Sequence, residues 1–442
     1  MKRPQQPPSN TKLFDELIPR VFSRLSDAQV RALIKSYNDR YLHWDEIRRR
    51  PVPSALSTPE EVWALVKLHR LQQYRAVDFG EETFNYILRD ADLRELHLLD
   101  TGAAGNIQTE LDAINTSGAD RYIINSLMEE AIASSQIEGA ATTRKIAKEM
   151  LRRNKKPTNR SEQMIVNGYR TIREIAKKRN EPLTAALLLE LQQMITESTI
   201  ETKDSGAFRD NNEIVVADPT DMDLVFHRPP DFTRVPQLIE ELCSFANEDG
   251  DPFIHPIVKG IMLHFFIGYI HPFNDGNGRT ARAVFYWYVL SRGYWLFEFM
   301  SLSRILLRSK KQYGLSYLYT ETDDNDLTYF ITFNLEAIQE AFDDMVRYIR
   351  RKQNEQAQAL KLIEARDDLN VRQAQILRLL MKRSDSNLTI GQVQTMFNVV
   401  YETARTDLHT LADRGLLFKK RIGRKYVFSL NADQAARTLT ES

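Results

Sequence analysis

The sequence predicts a mainly α protein: a helical core interrupted by one β-hairpin, followed by a C-terminal winged helix-turn-helix. Three observations carry that reading. From 119 to about 345, apolar residues recur at helical spacing almost without a break. The exception, 204–230, sets the apolar runs 213–217 and 224–226 either side of an Asp-Pro turn, the pattern of a hairpin. After Val371 the chain runs helix, helix, turn, helix and two short strands, the order of a winged helix.

The elements follow in order. Residues 1–12 are polar and proline-rich and read as disordered. The pattern is helical from 13 to about 47, breaks at Pro51 and Pro53, and resumes as a helix over 59–73. The runs 84–87 and 96–99 read as a strand pair, followed by a turn at 101–105. These segments make an N-terminal, mostly helical extension, 1–118, ahead of the helical core, 119–345. A charged helix over 348–367 forms most of a linker, 346–370. In the tail, 371–442, helices are expected over 371–380, 389–397 (capped by Thr389) and 401–414. Strands follow at 416–418 and 426–430 around the turn Ile422-Gly423-Arg424.

A chain of 442 residues is expected to hold two or three domains. Hydrophobic content of 42% supports sizeable cores. Lys plus Arg and Asp plus Glu both number 60, so there is no global push toward nucleic acid or membrane, and local charge must carry any such case. Cys243 is the one cysteine, which excludes an internal disulfide and fits a reducing compartment. The N-terminus shows no apolar signal region. The longest apolar run, near 260–270, is too short to span a membrane and contains His264, expected to be a core histidine. A cytoplasmic protein without a membrane partner is expected.

Residues 271–282 read His-Pro-Phe-Asn-Asp-Gly-Asn-Gly-Arg-Thr-Ala-Arg. His271 is a candidate base, since an imidazole is partly neutral near pH 7. Asp275 is a candidate metal ligand, because magnesium takes a carboxylate plus phosphate oxygens. Gly276, Asn277 and Gly278 make a tight, phosphate-sized loop whose glycines let backbone approach an anion. Arg279 and Arg282 are three apart, hence on one face of a helix. Helical patterns over 257–270 and 280–290 flank the loop, so it opens a helix whose N-terminus favours an anion. Pro272 and Phe273 are expected to pack and set the loop. Base, metal ligand, phosphate donors and leaving-group cations together suit transfer of a nucleotidyl group to a hydroxyl.

This stretch resembles the signature of the Fic family, His-Pro-Phe-x-Asp/Glu-Gly-Asn-Gly-Arg-x-x-Arg, at every fixed position. The resemblance spans about 120–345 and implies a helical Fic core (a Fido domain). It implies AMP transfer from ATP, with magnesium (Mg2+), to a Ser, Thr or Tyr hydroxyl of a protein, this chain included. A branch of the family that phosphorylates has Lys where this chain has Gly278, so Gly278 favours AMP transfer. Arg279 would reach the phosphates and be partly structural; Arg282 would reach the γ-phosphate. Ser134-Ser-Gln-Ile-Glu138-Gly139 matches the family's inhibitory pattern, Ser/Thr-x-x-x-Glu-Gly/Asn, and is expected to follow a helix over 122–133. The resemblance implies that Glu138 pairs with Arg282 and keeps the γ-phosphate from binding productively. One carboxylate would then occupy the guanidinium fork that a phosphate would use. Gly206-Ala-Phe-Arg209, Ile214-Val215-Val216 and Arg228-Pro-Pro230 resemble the family's flap, which holds a target segment by strand addition beside His271. Asp218, Asp221 and Asp223 at its tip are expected to be solvated. Residues 326–330 resemble the family's closing helix.

Lys419, Lys420, Arg421, Arg424 and Lys425 put five positive charges on the wing, and Arg405 and His409 project from the third helix of the tail. Such a wing touches DNA phosphates or serves protein contacts, and both readings stay open. Two alternative functions also stand: a DNA-binding regulator using the core as a nucleotide sensor, and removal of AMP from a modified protein. A homodimer that releases Glu138 is a further expectation.

Overall fold

The computed structural model describes residues 2–102, 116–218, 221–250, 252–364, 369–382, 387–422 and 425–431. They fall into two compact units. One comprises Met1–Thr101 and Ser126–Phe342, the other Gly102–Asn125 and Asp343–Ser442. The protein is mainly helical. Among the described residues no helix is long and apolar enough to cross a membrane.

In the first unit the N-terminal helical pattern is broken into turns, Lys12–Leu17, Ile18–Val21 and Phe22–Ser26, before α1 (Ala28–Asp39). The break is chemical. Asp27 accepts from the backbone N–H groups of Gln29 and Val30, which caps a fresh helix start. After α2 (Pro59–Leu71), β1 (Arg75–Phe79) and β2 (Glu82–Tyr86) form an antiparallel hairpin. The expected pairing of 84–87 with 96–99 is therefore wrong. Phe84 pairs with Val77 across a turn at Gly80 (φ +64°), and 96–99 lie in α3 (Asp90–Thr101), whose Leu96 and Leu99 are buried one turn apart. The expected turn at 101–105 lies mostly outside the described residues.

The unit continues through the part of α4 (Thr116–Ile137) from Ser126 on, then α5 (Arg144–Arg152), α6 (Arg160–Lys178) and α7 (Ala185–Thr196). The hairpin β3 (Val216–Asp218) and β4 (Asp221–His227) comes next, then α8 (Val235–Asn247), α9 (Pro256–Ile270) and α10 (Asn277–Ser291). Then come α11 (Leu302–Arg308), α12 (Lys310–Thr322) and α13 (Thr328–Glu364), of which residues up to Phe342 belong to this unit. Helix α9 is apolar on nearly every face and correspondingly buried, as a central core helix must be. Phe79 stacks on its Phe266 at 4.1 Å, and Phe84 meets Phe265 edge-on at 5.8 Å. Helix α10 packs alongside it, so the loop between them, 271–276, is held at the ends of two core helices.

The N-terminal helices are tied to the turn between α12 and α13 by buried polar groups. Lys67 Nζ donates to Asp323 Oδ1 at 2.6 Å, and Tyr41 and Tyr74 both donate to Asp326 Oδ2 at 2.6 Å. Arg70, fully buried, donates to the Tyr329 hydroxyl at 2.7 Å and lies 3.8 Å from Asp323.

The second unit contains α14 (Val371–Lys382), β5 (Leu388–Thr389), α15 (Ile390–Phe397), α16 (Tyr401–Asp413), β6 (Leu417–Ile422) and β7 (Lys425–Leu430). The sheet order is β5-β7-β6, antiparallel throughout. Ile376, Leu380, Val393, Leu408, Leu411 and Phe428 form its core. Thr389 and Gln392 form a reciprocal cap at the start of α15, and Asn398 ends it in the left-handed conformation (φ +50°). The strands are longer than the expected 416–418 and 426–430, and β5 is an addition. Gly423 and Arg424 of the expected turn lie outside the described residues.

Candidate functional site

Helix α9 ends by a turn of handedness. The His271 N–H donates to Ile267 O at 3.0 Å while its backbone sits at φ 48°, ψ 57°, a left-handed conformation that costs a non-glycine residue about 1–2 kcal/mol. The loop beyond is set by buried groups. Phe273 is fully buried and stacks on Phe208 at 5.5 Å. Asn277 bridges back to it, with its Oδ1 accepting from the Phe273 N–H at 3.0 Å and its Nδ2 donating to Phe273 O at 2.7 Å. Gly276 supplies φ +90° at the mouth of α10. Gln192, fully buried on α7, donates to Asp275 O at 3.1 Å and accepts from the Gly206 N–H at 2.5 Å.

His271 Nδ1 lies 2.9 Å from Gly268 O. A carbonyl oxygen only accepts, so Nδ1 carries the proton and Nε2 keeps its lone pair. Burial pushes this imidazole down to about 4, against the Gly268 hydrogen bond, and the charge of His227 adds to the lowering. The ring is therefore a neutral acceptor at pH 7. Arg209 secures the same turn: its Nε donates to His271 O at 2.9 Å and its backbone N–H to Pro272 O at 2.9 Å.

Arg282, 1% exposed, is clasped from α4. Its Nε donates to Ser134 Oγ at 2.9 Å, and its Nη2 donates to Ser134 O at 3.1 Å and to Glu138 Oε1 at 2.9 Å. Burial works to raise the Glu138 pKa, but the charge and hydrogen bond of Arg282 outweigh it and hold the carboxyl below its usual range. The expected helix over 122–133 is longer: α4 runs to Ile137, so Ser134 lies on its last turn, and Gly139 (φ +92°) follows Glu138 in the terminating turn. Gly278 makes room for this arrangement. A Cβ there would stand 2.3 Å from Glu138 Oε1.

Arg279 is largely engaged already, donating to Ile195 O at 3.0 Å and to Asp275 Oδ1 at 3.2 Å. Arg160 reaches the other oxygen of Asp275 at 2.9 Å, and the carboxylate is 36% exposed at the edge of the loop. Among the described residues no cluster of three His, Cys, Asp or Glu could cage a metal. Both Asp275 oxygens already accept hydrogen bonds, Oδ1 from the Gly276 N–H at 2.5 Å as well, so a magnesium ion drawing its remaining ligands from phosphates and water would have to displace one of these partners.

The flap strands are shorter on one side than the sequence suggests. Val215 precedes β3, Val216 opens it, and register irregularities follow Val216 and Ala217. Asp218 is buried rather than solvated, because it lies within the strand pair opposite Asp221; Asp221 and Asp223 are exposed as expected. Residues 219–220 of the tip lie outside the described residues. Gly206 adopts φ +74° at the flap's base. His264 is a buried core histidine, 2.8 Å from the Tyr313 hydroxyl. Sequence reasoning missed Gln192, Arg160, His227 and Glu321, which stand outside any motif and reach the site only through folding.

Similarity to known proteins centres on one region. Residues 182–289 match the Fic/DOC family. The chain is 27% identical over 116 residues to the "Protein adenylyltransferase Fic" of Culex quinquefasciatus, covering 26% of this chain and 21% of that protein. It is 27% identical over 112 residues to the Drosophila melanogaster protein of the same name, covering 25% and 21%. The chain thus spans only 21% of the length of these relatives. Among solved structures, a Fic family protein from Desulfovibrio desulfuricans G20 aligns with a TM-score of 0.51 at 18% identity, over 77% of this chain and 94% of that one. Fic-1 from C. elegans aligns with a TM-score of 0.50 at 14% identity, over 73% and 85%. At such identities the likeness shows the fold.

Proposed function

We propose that this chain, which carries a Fic/DOC family domain over residues 182–289, is a protein adenylyltransferase restrained by its own Glu138. In this reading a Ser, Thr or Tyr hydroxyl of a protein approaches His271 Nε2, which takes its proton. The hydroxyl oxygen bonds to the α-phosphorus of ATP as the bond to the bridging oxygen breaks, and pyrophosphate leaves. Gly276, Asn277 and Gly278 donate backbone N–H groups at the start of α10, while Arg279 and Arg282 offset phosphate charge. Magnesium held by Asp275 would neutralise charge on the polyphosphate. The flap, from Gly206 and Arg209 through Val215 and Val216, pairs with backbone of the target.

One observation carries the reading. Nε and Nη2 of the buried Arg282 are held by Ser134 and Glu138 of the same chain, so a group suited to an anion is already paired with one. The test uses α-labelled ATP and magnesium with wild type, Glu138→Gly and His271→Ala. Glu138→Gly raises protein labelling by roughly tenfold or more, the scale of one charged hydrogen bond, and His271→Ala added to it abolishes the gain. Label that is lost from a modified protein in a Glu138-dependent way would instead indicate AMP removal. If no form labels while ATP still binds, the adenylyltransferase reading fails in favour of a nucleotide sensor. Release of Glu138 by homodimerisation requires activity that changes with protein concentration.

The tail is read as a winged helix-turn-helix that meets DNA through phosphates. Lys419, Lys420, Arg421 and Lys425 are exposed on β6 and β7. Arg405 is paired with Glu402 at 3.0 Å, and the His409 ring faces Tyr426 at 6.1 Å. With those two side chains engaged, backbone contact by the wing is favoured over base reading. The single cysteine, Cys243, suits a cytoplasmic setting.

A further inference from the structure

His227 is the last residue of β4, belongs to neither signature, and is buried. Both of its ring nitrogens meet an acceptor. Nε2 lies 2.8 Å from Tyr269 O, and Nδ1 lies 2.8 Å from Glu321 Oε2 on α12. A carbonyl oxygen only accepts, so Nε2 donates. Contact at that distance between Nδ1 and a carboxylate oxygen then needs one proton between them. For both contacts to be hydrogen bonds, the pair must hold one proton more than a neutral imidazole beside an ionised carboxylate. Their side chains are 9% and 19% exposed, so water competes little for it.

The bridge joins three elements: the end of the flap, the last turn of α9 two residues before His271, and α12. The His227 ring stands 6.5 Å from the His271 ring and 5.6 Å from that of Tyr269. Of the charged groups nearby, Glu82, Glu321 and Arg234 act on Tyr269, and Glu138 and Arg209 act on His271.

We infer that His227 is a positioning residue: the proton it shares with Glu321 locks the end of the flap strand against the turn carrying His271. It thereby fixes where a target strand paired with the flap presents its hydroxyl. This rests on the adenylyltransferase reading for its consequence, though not for its geometry. Among the described residues neither His227 nor Glu321 is bonded to Arg279, Arg282 or Asp275, so the latch stands apart from the phosphate-facing groups.

The test uses the full chain. A long-range proton–nitrogen spectrum of histidine-labelled wild type should show His227 protonated at both nitrogens, or sharing the second proton, and Glu321→Gln should return it to a neutral ring. Glu321→Gln keeps the bridge, because its amide N–H donates to Nδ1. Glu321→Ala breaks it. Amide exchange over 216–227 should rise roughly tenfold or more in Glu321→Ala and stay near wild type in Glu321→Gln. On a Glu138→Gly background, self-labelling should fall in Glu321→Ala and recover in Glu321→Gln, with ATP affinity by calorimetry unchanged in both. A neutral His227 in wild type, or unchanged flap exchange in Glu321→Ala, would overturn the inference. Absence of labelling in the Glu138→Gly parent would sink the activity reading alone, since the spectrum and the exchange still decide the latch.

Discussion

His271 can accept a proton at neutral pH because two features settle its state: Gly268 O fixes the proton on Nδ1, and burial holds the imidazole near 4. As pH falls through that value Nε2 becomes protonated and stops accepting. In the Glu138→Gly form, which also lacks the carboxylate that raises it, the acid limb of kcat/KM for labelling should therefore lie at or below about pH 4, well below that of an unperturbed histidine. An acid limb near the unperturbed value would contradict the described environment. Glu138 behaves the opposite way. Its carboxyl is held below the usual range, so the stability it adds is present above its unfolded pKa and lost only as pH falls through the lowered one. Mild acid should not open the clasp. His271, Asp275 and the glycine loop were legible because they are contiguous in sequence. Gln192, His227 and Glu321 were not, since each is a lone polar residue whose partner lies on another element.

Elements were legible where one physical pattern dominates. Helices α9 and α10 announce themselves by unbroken apolar spacing. The 75–86 hairpin escaped notice because β1 is mostly exposed, showing only Val77 and Phe79 to the core. The N-terminal helices were visible as helices, but not their attachment, which depends on ions buried between α2 and the turn before α13. Lys67 and Asp323 are 2% and 1% exposed, so removing Lys67 takes away the close partner of a buried carboxylate and leaves it Arg70 at 3.8 Å and the Tyr329 hydroxyl. Lys67→Met should destabilise the first unit by roughly 3–5 kcal/mol, whereas Lys35→Met, which breaks the exposed pair with Asp39, should change it by less than about 1 kcal/mol. Denaturant unfolding of both variants checks this; equal effects would mean that the clamp is not the anchor.

Over the whole molecule, equal totals of 60 positive and 60 negative side chains conceal strong local charge. The wing is one such place. If it meets duplex DNA, changing Lys419, Lys420, Arg421 and Lys425 to Gln should flatten the dependence of log affinity on log salt by roughly 0.9 for each phosphate left without its cation. Fluorescence anisotropy across a salt series measures that slope. An unchanged slope, or no binding by the parent, would assign the tail to protein contacts. Balanced composition could not have revealed this, because a net total carries no position.

The space above Gly278 has a historical consequence. Glu138 Oε1 occupies the volume that any side chain at 278 would need, although one residue follows the end of α4, the other lies in α10, and they are far apart in sequence. Their changes are therefore ordered. Glu138 can be lost while Gly278 stays, leaving an unrestrained form of the same loop. A side chain cannot arrive at 278 unless the Glu138 carboxylate moves, either re-seating its flexible end against Arg282 or leaving it. A descendant that placed a side chain here would have to re-seat or release its brake in the same step, or have lost it beforehand.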